Sequence, residues 1–402
     1  MGSKVSLTLV GVGAYSMIRG LAIPAFRILL PLYMLSIGYK VQDLGPMATY
    51  SAIVIALSLP LVGYLVDSGK ARVMGAASGA MTAASLILPV VSGSYAVLVV
   101  AFTLSMLSTM TWQSARSAIV ALEVSPQSLG RAFSSLSAAF TVARIASPML
   151  AVWIAGLAGY RGAMLVFAAM ALAGSVLFLT MTRSYRGLIS PAVSEARSGG
   201  NFPRSLLAAY VRVCKLLREY PVFILFTVMD RFAWSLWLPM LNAYLKDVCG
   251  LGDEGVGLFN SLFAASMLAT FYPAGLLTDR IGSVKVLAIN ELVGAVSAAL
   301  LALAGGGMSL AAYASAVAMG VSVELWVAGY NTLTATLKGP ESVGEVRAGV
   351  DSARTVFSIP APALGSALYV SLGPASPFIS SMALMIGAAL TLTPMLRGER
   401  RQ

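Results

Sequence analysis

Gly63-Tyr64-Leu65-Val66-Asp67 returns 212 residues later as Gly275-Leu276-Leu277-Thr278-Asp279. In the same ungapped register Arg19 falls on Arg231, Gly38 on Gly250 and Gly45 on Gly257. Scattered coincidences do not keep one offset over so long a stretch, so the chain reads as a tandem of two similar halves.

Both halves are strongly apolar. Hydrophobic residues make up 58% of the chain and charged residues 11%, against roughly a quarter charged in soluble domains. A bilayer core of about 30 Å takes roughly 20 apolar residues per helix. Twelve stretches meet that length, approximately 9–35, 44–64, 73–92, 95–121, 133–156, 160–182, 221–246, 255–276, 284–304, 309–335, 349–371 and 375–396. They are too long and too uniformly apolar for strands of a closed barrel. The expected fold is therefore an all-α membrane protein. It has a six-helix bundle over residues 1–182, a linker over 183–220 and a second bundle over 221–402. Parallel repeats of this kind are a usual build of secondary transporters, with the solute site near the bilayer midplane between the repeats.

The net charge of +11 reports topology rather than nucleic-acid binding. With both termini inside, eighteen of the 27 Lys and Arg fall on the cytoplasmic side: Lys4, Lys70, Arg72, Arg131, seven in 183–220, Arg280, Lys285, Lys338, Arg347, Arg397, Arg400 and Arg401. Lys40, Arg161 and Lys246 fall outside. That excess is the positive-inside pattern, and it places the protein in a cell membrane with cytoplasmic termini. Cys214 and Cys249 map to opposite faces and cannot pair, and the chain has no histidine. Imidazole relays and His-rich metal sites are excluded, so any proton coupling must use carboxylates. No cofactor or metal is expected. Only Lys4 precedes the first apolar run, so no cleaved leader is expected.

Gly275-Leu-Leu-Thr-Asp279-Arg280-Ile-Gly282 resembles the G-x-L-x-D-R-x-G loop of the major facilitator superfamily. The first-half copy, Gly63 to Arg72, keeps Gly, Leu and Asp, loses one residue before Gly69, and carries Lys70 and Arg72. Gly38 with Gly45, and Gly250 with Gly257, resemble the family's short external turns. Pro126-x-Ser128-x-Gly130-Arg131 echoes Pro340-x-Ser342-x-Gly344, with Arg347 following. The resemblance implies alternating access and a cytoplasmic gate. Asp67 and Asp279 would latch the halves, with Lys70, Arg72, Arg131, Arg280 and Arg347 as basic partners. Gly63 and Gly275, lacking Cβ atoms, would let helices approach closely there.

A charge at the centre of a membrane helix costs roughly 2.5–3.5 kcal/mol on insertion scales, so such residues line a cavity or find partners. Arg19 and Arg231 are repeat-equivalent and sit near mid-depth. On helix 1, Tyr15, Arg19 and Phe26 share a face, with Arg27 at its edge. On helix 7, Asp230, Trp234 and Trp237 share another, with Arg231 beside it. By the resemblance these helices line the cavity, and Tyr15, Phe26, Arg19, Arg27, Arg231, Trp234 and Asn331 would bind solute. Neutralisation of Arg231 by Asp230 or Glu324 is the alternative.

Glu324, inside helix 10 near Trp326, Tyr330 and Asn331, is one proton-coupling candidate, because a desolvated carboxylate favours its protonated form. Asp230 is the other. Glu291 falls on helix 9, peripheral in this family, and reads as structural. Asp351 and Arg354 read as gate residues.

Arg144-Ile-Ala-Ser-Pro148 lacks the glycines of drug/proton antiporters, and Arg116 stands without their helix 4 signature. Paired arginines on helices 1 and 7 resemble those of organic-phosphate exchangers. The expected function is thus proton-coupled symport or antiport of a small anionic or zwitterionic solute. Export of lipophilic or cationic compounds is the alternative. A membrane enzyme is excluded by the lack of any nucleophile–base pair or metal cluster. The expected partners are solute, protons and lipid, with no nucleic acid, and the expected state is a monomer. The basic linker, Pro203 to Glu219 especially, is suited to lie on anionic headgroups.

Overall fold

The computed structural model describes residues 7–124, 129–185, 218–336 and 343–399, with backbone only at 59–60, 67, 129–135, 343–348 and 397–399. Among the described residues it is helical without strands. Among the described residues, ten helices are long and apolar enough to cross a membrane. Most of the 183–220 linker, with Cys214, lies outside the described residues.

The first half contributes α1 (Leu7–Ser36), α2 (Leu44–Asp67), α3 (Ala71–Val91), α4 (Tyr95–Glu123) and α5 (Leu129–Met181). The last is 53 residues long, but Gly159 inside it has φ 70° and ψ 168°. That backbone suits glycine alone, so the helix breaks where the apolar pattern expects a boundary, between 156 and 160. The chain divides into two compact units, Met1–Gly38 with Tyr50–Ser205, and Tyr39–Thr49 with Leu206–Gln402.

In the first unit α1 lies along α5. Gly20 makes this possible: a Cβ there would stand 2.6 Å from the Phe140 carbonyl oxygen and 2.8 Å from Ala143 Cβ. Small residues at a crossing are how membrane helices gain close packing. Tyr15, Trp112 and Phe178 form an aromatic core, with ring centroids 4.6 Å apart for Tyr15–Trp112 and 5.0 Å for Tyr15–Phe178.

The second unit contains α6 (Pro221–Ser235), α7 (Leu241–Asp247), α8 (Gly252–Ile281), α9 (Ser283–Ala304), α10 (Ser309–Thr336), α11 (Val343–Ser358), α12 (Ala361–Leu372), α13 (Ser376–Thr391) and α14 (Thr393–Glu399). Two stretches expected to be single helices are interrupted. Residues 221–246 break after Ser235 into a 3₁₀ turn at Leu238–Met240, and 349–371 break between Ser358 and Ala361. Pro239 and Pro360 stand at the breaks, where a missing N–H and a rigid ring end a helix. The two breaks touch: a Cβ on Gly365 would collide with the Leu236 carbonyl oxygen.

The turn after α1 packs within this second unit. Ser366 Oγ donates to the Gln42 carbonyl at 2.7 Å, and the Ala363 N–H donates to Thr49 Oγ1 at 3.1 Å. Gly45 has no room for a Cβ against Pro362 and Ser366. The glycines that end the repeated loop take left-handed backbone, Gly69 with φ 81° and Gly282 with φ 90°.

Candidate functional site

The second unit gathers its intramembrane charges into one cluster. Pro221 opens α6 at a position that needs no donor. The buried face of α6 then runs Phe223, Phe226, Thr227, Asp230 and Ala233. Arg354, on α11, reaches Asp230: Nη2 donates to Oδ2 at 2.9 Å, with side-chain exposures of 14% and 4%. Its Nη1 stands 3.7 Å from Asp351 Oδ1, whose side chain is 47% exposed. Tyr330 on α10 donates its hydroxyl to the same Asp351 oxygen at 2.9 Å.

Aromatic rings wall this ion pair. The Arg354 guanidinium carbon lies 4.3 Å from the Trp326 ring centroid, and Trp326 stacks on Tyr330 at 5.1 Å. Phe226 lies against Trp326 at 5.8 Å. Stacking of a guanidinium on a desolvated ring adds to the ionic attraction. Asp351 and Arg354 are thus one charged network with Asp230, a link the spacing of the sequence does not reveal.

Glu291, read above as a structural residue on a peripheral helix, belongs to this cluster. It is 1% exposed, and its carboxyl lies within side-chain hydrogen-bonding reach of Asp230. The signal was present in the sequence. Leu287, Glu291, Ala295 and Ala298 are buried at i, i+4, i+8 and i+11 spacing, which puts a carboxyl on an apolar, inward face. Glu324 is also buried, at 8% exposure, on α10.

The first unit holds a different arrangement. Arg19 is 3% exposed and donates to hydroxyls and one carbonyl: Nη1 to Ser78 Oγ at 3.1 Å and Thr82 Oγ1 at 3.2 Å, Nη2 to Ser108 Oγ at 2.9 Å and its carbonyl at 3.2 Å. Tyr15 Oη accepts from it at 3.5 Å and lies 3.2 Å from Ser78 Oγ. Tyr15 and Phe26 are fully buried. The helix 1 face expected to line a cavity is therefore the face packed inside the unit. The Tyr15 ring finds Trp112 and Phe178 there, and Arg19 finds hydroxyls. Arg27, expected at the edge of that face, is exposed, as are Arg231 and Asn331, while Trp234 is half-buried. Arg144 is half-buried four residues before Pro148, and Arg116 is half-buried on α4.

At the repeated loops, Lys70, Asp279 and Arg280 are exposed, and Arg72 Nη2 donates to the Leu179 carbonyl at 2.7 Å. Among the described residues, a Cβ on Gly63 or Gly275 would meet nothing within 4 Å. Arg131 and Arg347 lie near the starts of α5 and α11, and Asp67 ends α2; the side chains of all three lie outside the described residues.

The family model described as Major Facilitator Superfamily matches residues 8–355. The chain belongs to the major facilitator superfamily. It is a multi-pass membrane transporter of that superfamily, not an enzyme, and its substrate is a small molecule. Among curated proteins, none matches the sequence.

Solved structures of superfamily transporters share the fold across nearly the whole length. A POT family transporter in complex with a thioalcohol-conjugated peptide is 15% identical, with TM-score 0.78, over 97% of this chain and 96% of that one. The nucleoside transporter NupG is 13% identical, with TM-score 0.74, over 97% and 99%. A POT family transporter in complex with 5-aminolevulinic acid is 15% identical, with TM-score 0.75, over 95% and 94%.

Proposed function

We propose that this transporter moves a small anionic or zwitterionic solute across the cell membrane by alternating access, coupled to protons. The observation that carries the coupling is the buried acid–base set on α6, α9 and α11. Intramembrane carboxyls are costly, and in transporters they mark ion or proton pathways. Asp230 lies next to the interruption after Ser235, and interrupted helices are where such proteins build their sites.

The anionic preference rests on Arg27 and Arg231, cations exposed on the first and seventh apolar stretches. Arg19, satisfied by hydroxyls, organises α1 against α3 and α4 in this reading and leaves the grip to these two. The POT neighbour in complex with 5-aminolevulinic acid, an amino acid, is in keeping with a zwitterion.

The membrane topology belongs to the same proposal. The 46-residue helix Leu136–Met181 divides at Gly159 into two spans, and the 24-residue α2 supplies another, which makes twelve. Both termini are cytoplasmic, bundles over 1–182 and 221–402 flank the 183–220 linker, and the protein works as a monomer. The gate is formed by Asp67, Asp279 and their basic neighbours.

Export of lipophilic cations is the second reading. It is favoured by one feature: Phe226, Trp326 and Tyr330 form a stack that already accommodates a guanidinium. Thermal unfolding of purified protein with small anions, zwitterionic amino acids, sugars and lipophilic cations separates the readings. A ligand at 100 times its Kd adds about 2.7 kcal/mol of stability. A shift with anions or amino acids that is lost in Arg27→Gln and Arg231→Gln supports the first reading. A shift with lipophilic cations that is lost in Trp326→Ala supports the second.

A further inference from the structure

Glu291 is the most deeply buried acid of the cluster, and its two oxygens are treated differently. Oε1 accepts from Asn290 Nδ2 at 3.0 Å, and Asn290 Oδ1 in turn accepts from Ser322 Oγ at 2.7 Å. Oε2 is buried and meets no donor among the described residues. Besides Asn290, Asp230 makes a side-chain hydrogen-bond contact with this carboxyl, and it already takes Arg354 on Oδ2. Two ionised carboxylates cannot hydrogen bond, because each offers only acceptors. Like charges at such range in a desolvated site do not both ionise. One proton removes both objections.

We propose that Glu291 holds the coupling proton, as a carboxylic acid that donates from Oε2 to the Asp230 carboxylate. This rests on the proton-coupled reading above and moves the proton from Glu324 or Asp230 alone to a dyad between α9 and α6. In the protonated dyad, Asp230 is the one carboxylate of the two and faces Arg354. Loss of the proton to water places a second carboxylate beside Asp230, and their repulsion pushes α9 from α6. The proton is thereby tied to the packing of these two helices.

The other groups that bear on Glu291 fit this assignment. Asp230 on α6 is flanked by Arg231, and Arg354 on α11 acts on both carboxyls. Beyond Arg354 stand Asp351 and the Tyr330 hydroxyl. From α10 comes Ser322, through Asn290, and the same helix carries buried Glu324. α13, packed along α9, has no titratable side chain.

Infrared spectroscopy of the purified full-length protein tests the assignment without any solute. The expected result at neutral pH is a carbonyl stretch of a protonated carboxylic acid that shifts in heavy water. It is lost in Glu291→Gln, whose amide keeps the volume and a donor toward Asp230, and it remains in Glu324→Gln. Carboxyl-carbon isotope labelling of glutamate in otherwise unaltered protein must also shift the band, which covers the case of a variant that does not fold. A band that is missing, or that survives Glu291→Gln, or that moves with labelled aspartate instead, overturns the assignment. In proteoliposomes, solute flux indifferent to a pH gradient while the Glu291 band is intact removes the coupling reading itself. Gradient-driven flux with the band still present in Glu291→Gln removes only the place of the proton.

Discussion

The Arg354 guanidinium donates from Nη2 to Asp230 Oδ2 at 2.9 Å, joining two helices 124 residues apart in sequence. Asp230 is buried and Arg354 is partly so, at 4% and 14% side-chain exposure, so removal of Arg354 leaves a buried carboxylate without its cation. Breaking such a pair from one side costs about 3–5 kcal/mol, because an uncompensated charge stays behind. Arg354→Gln is therefore expected to lower the unfolding free energy by about that amount. Arg354→Gln combined with Asp230→Asn should recover most of the loss. A double-mutant cycle followed by thermal unfolding in detergent checks this, and additive losses would show that the pair is not coupled.

Gly365 stands where the two interrupted helices meet. Its missing Cβ would occupy the position of the Leu236 carbonyl oxygen, a backbone atom that cannot swing aside as a side chain does. Gly365→Ala should cost about 1–3 kcal/mol, the usual range for overpacking. Gly275→Ala, with nothing within 4 Å of the added methyl among the described residues, should be nearly neutral. The difference between the two melting temperatures is the measurement.

The apolar lengths were readable in the sequence because they answer to one physical demand, a fixed bilayer thickness. Even the boundary at Gly159 fell between two expected helices. The interruptions after Ser235 and Ser358 were not readable, although Pro239 and Pro360 lay in plain view. Proline inside a membrane helix is tolerated in many contexts, as Pro24 and Pro31 are within the unbroken α1. The partners of the intramembrane charges were harder still. Arg19 and Arg231 share an offset and not an environment: one is buried among hydroxyls, the other exposed. Past the residue lost before Gly69 the offset becomes 213, and it carries Ser78, which holds Arg19, onto Glu291. The repeat preserved the place of a polar contact and changed its charge.

Arg19 is satisfied by hydroxyls alone among the side chains described around it. Each bond to a charged donor contributes about 1.5–3 kcal/mol. Ser108→Ala removes the shortest of them, from Nη2 at 2.9 Å, and should destabilise by about that amount in detergent. In an Arg19→Met background the same Ser108→Ala change should cost much less, since no charge remains to be satisfied. Equal costs in both backgrounds would mean that Ser108 acts through its bonds to α3 rather than through Arg19.

Cys249 lies in the short connection between α7 and α8, outside the membrane spans. Burial pushes its thiol up from 9.0 to about 11, opposed in part by a hydrogen bond with Tyr244. The thiolate is the nucleophile, so Cys249 should be nearly inert to maleimide at neutral pH in the folded protein and reactive once unfolded, measured in a Cys214→Ser background. The same shift sets an alkaline signature. Between pH 9 and about 11 the folded chain keeps a proton that the unfolded chain has lost, so stability falls as pH rises through that window. Cys249→Ala should flatten this part of the stability curve. An unchanged alkaline slope in the variant would show that the loss of stability comes from other groups.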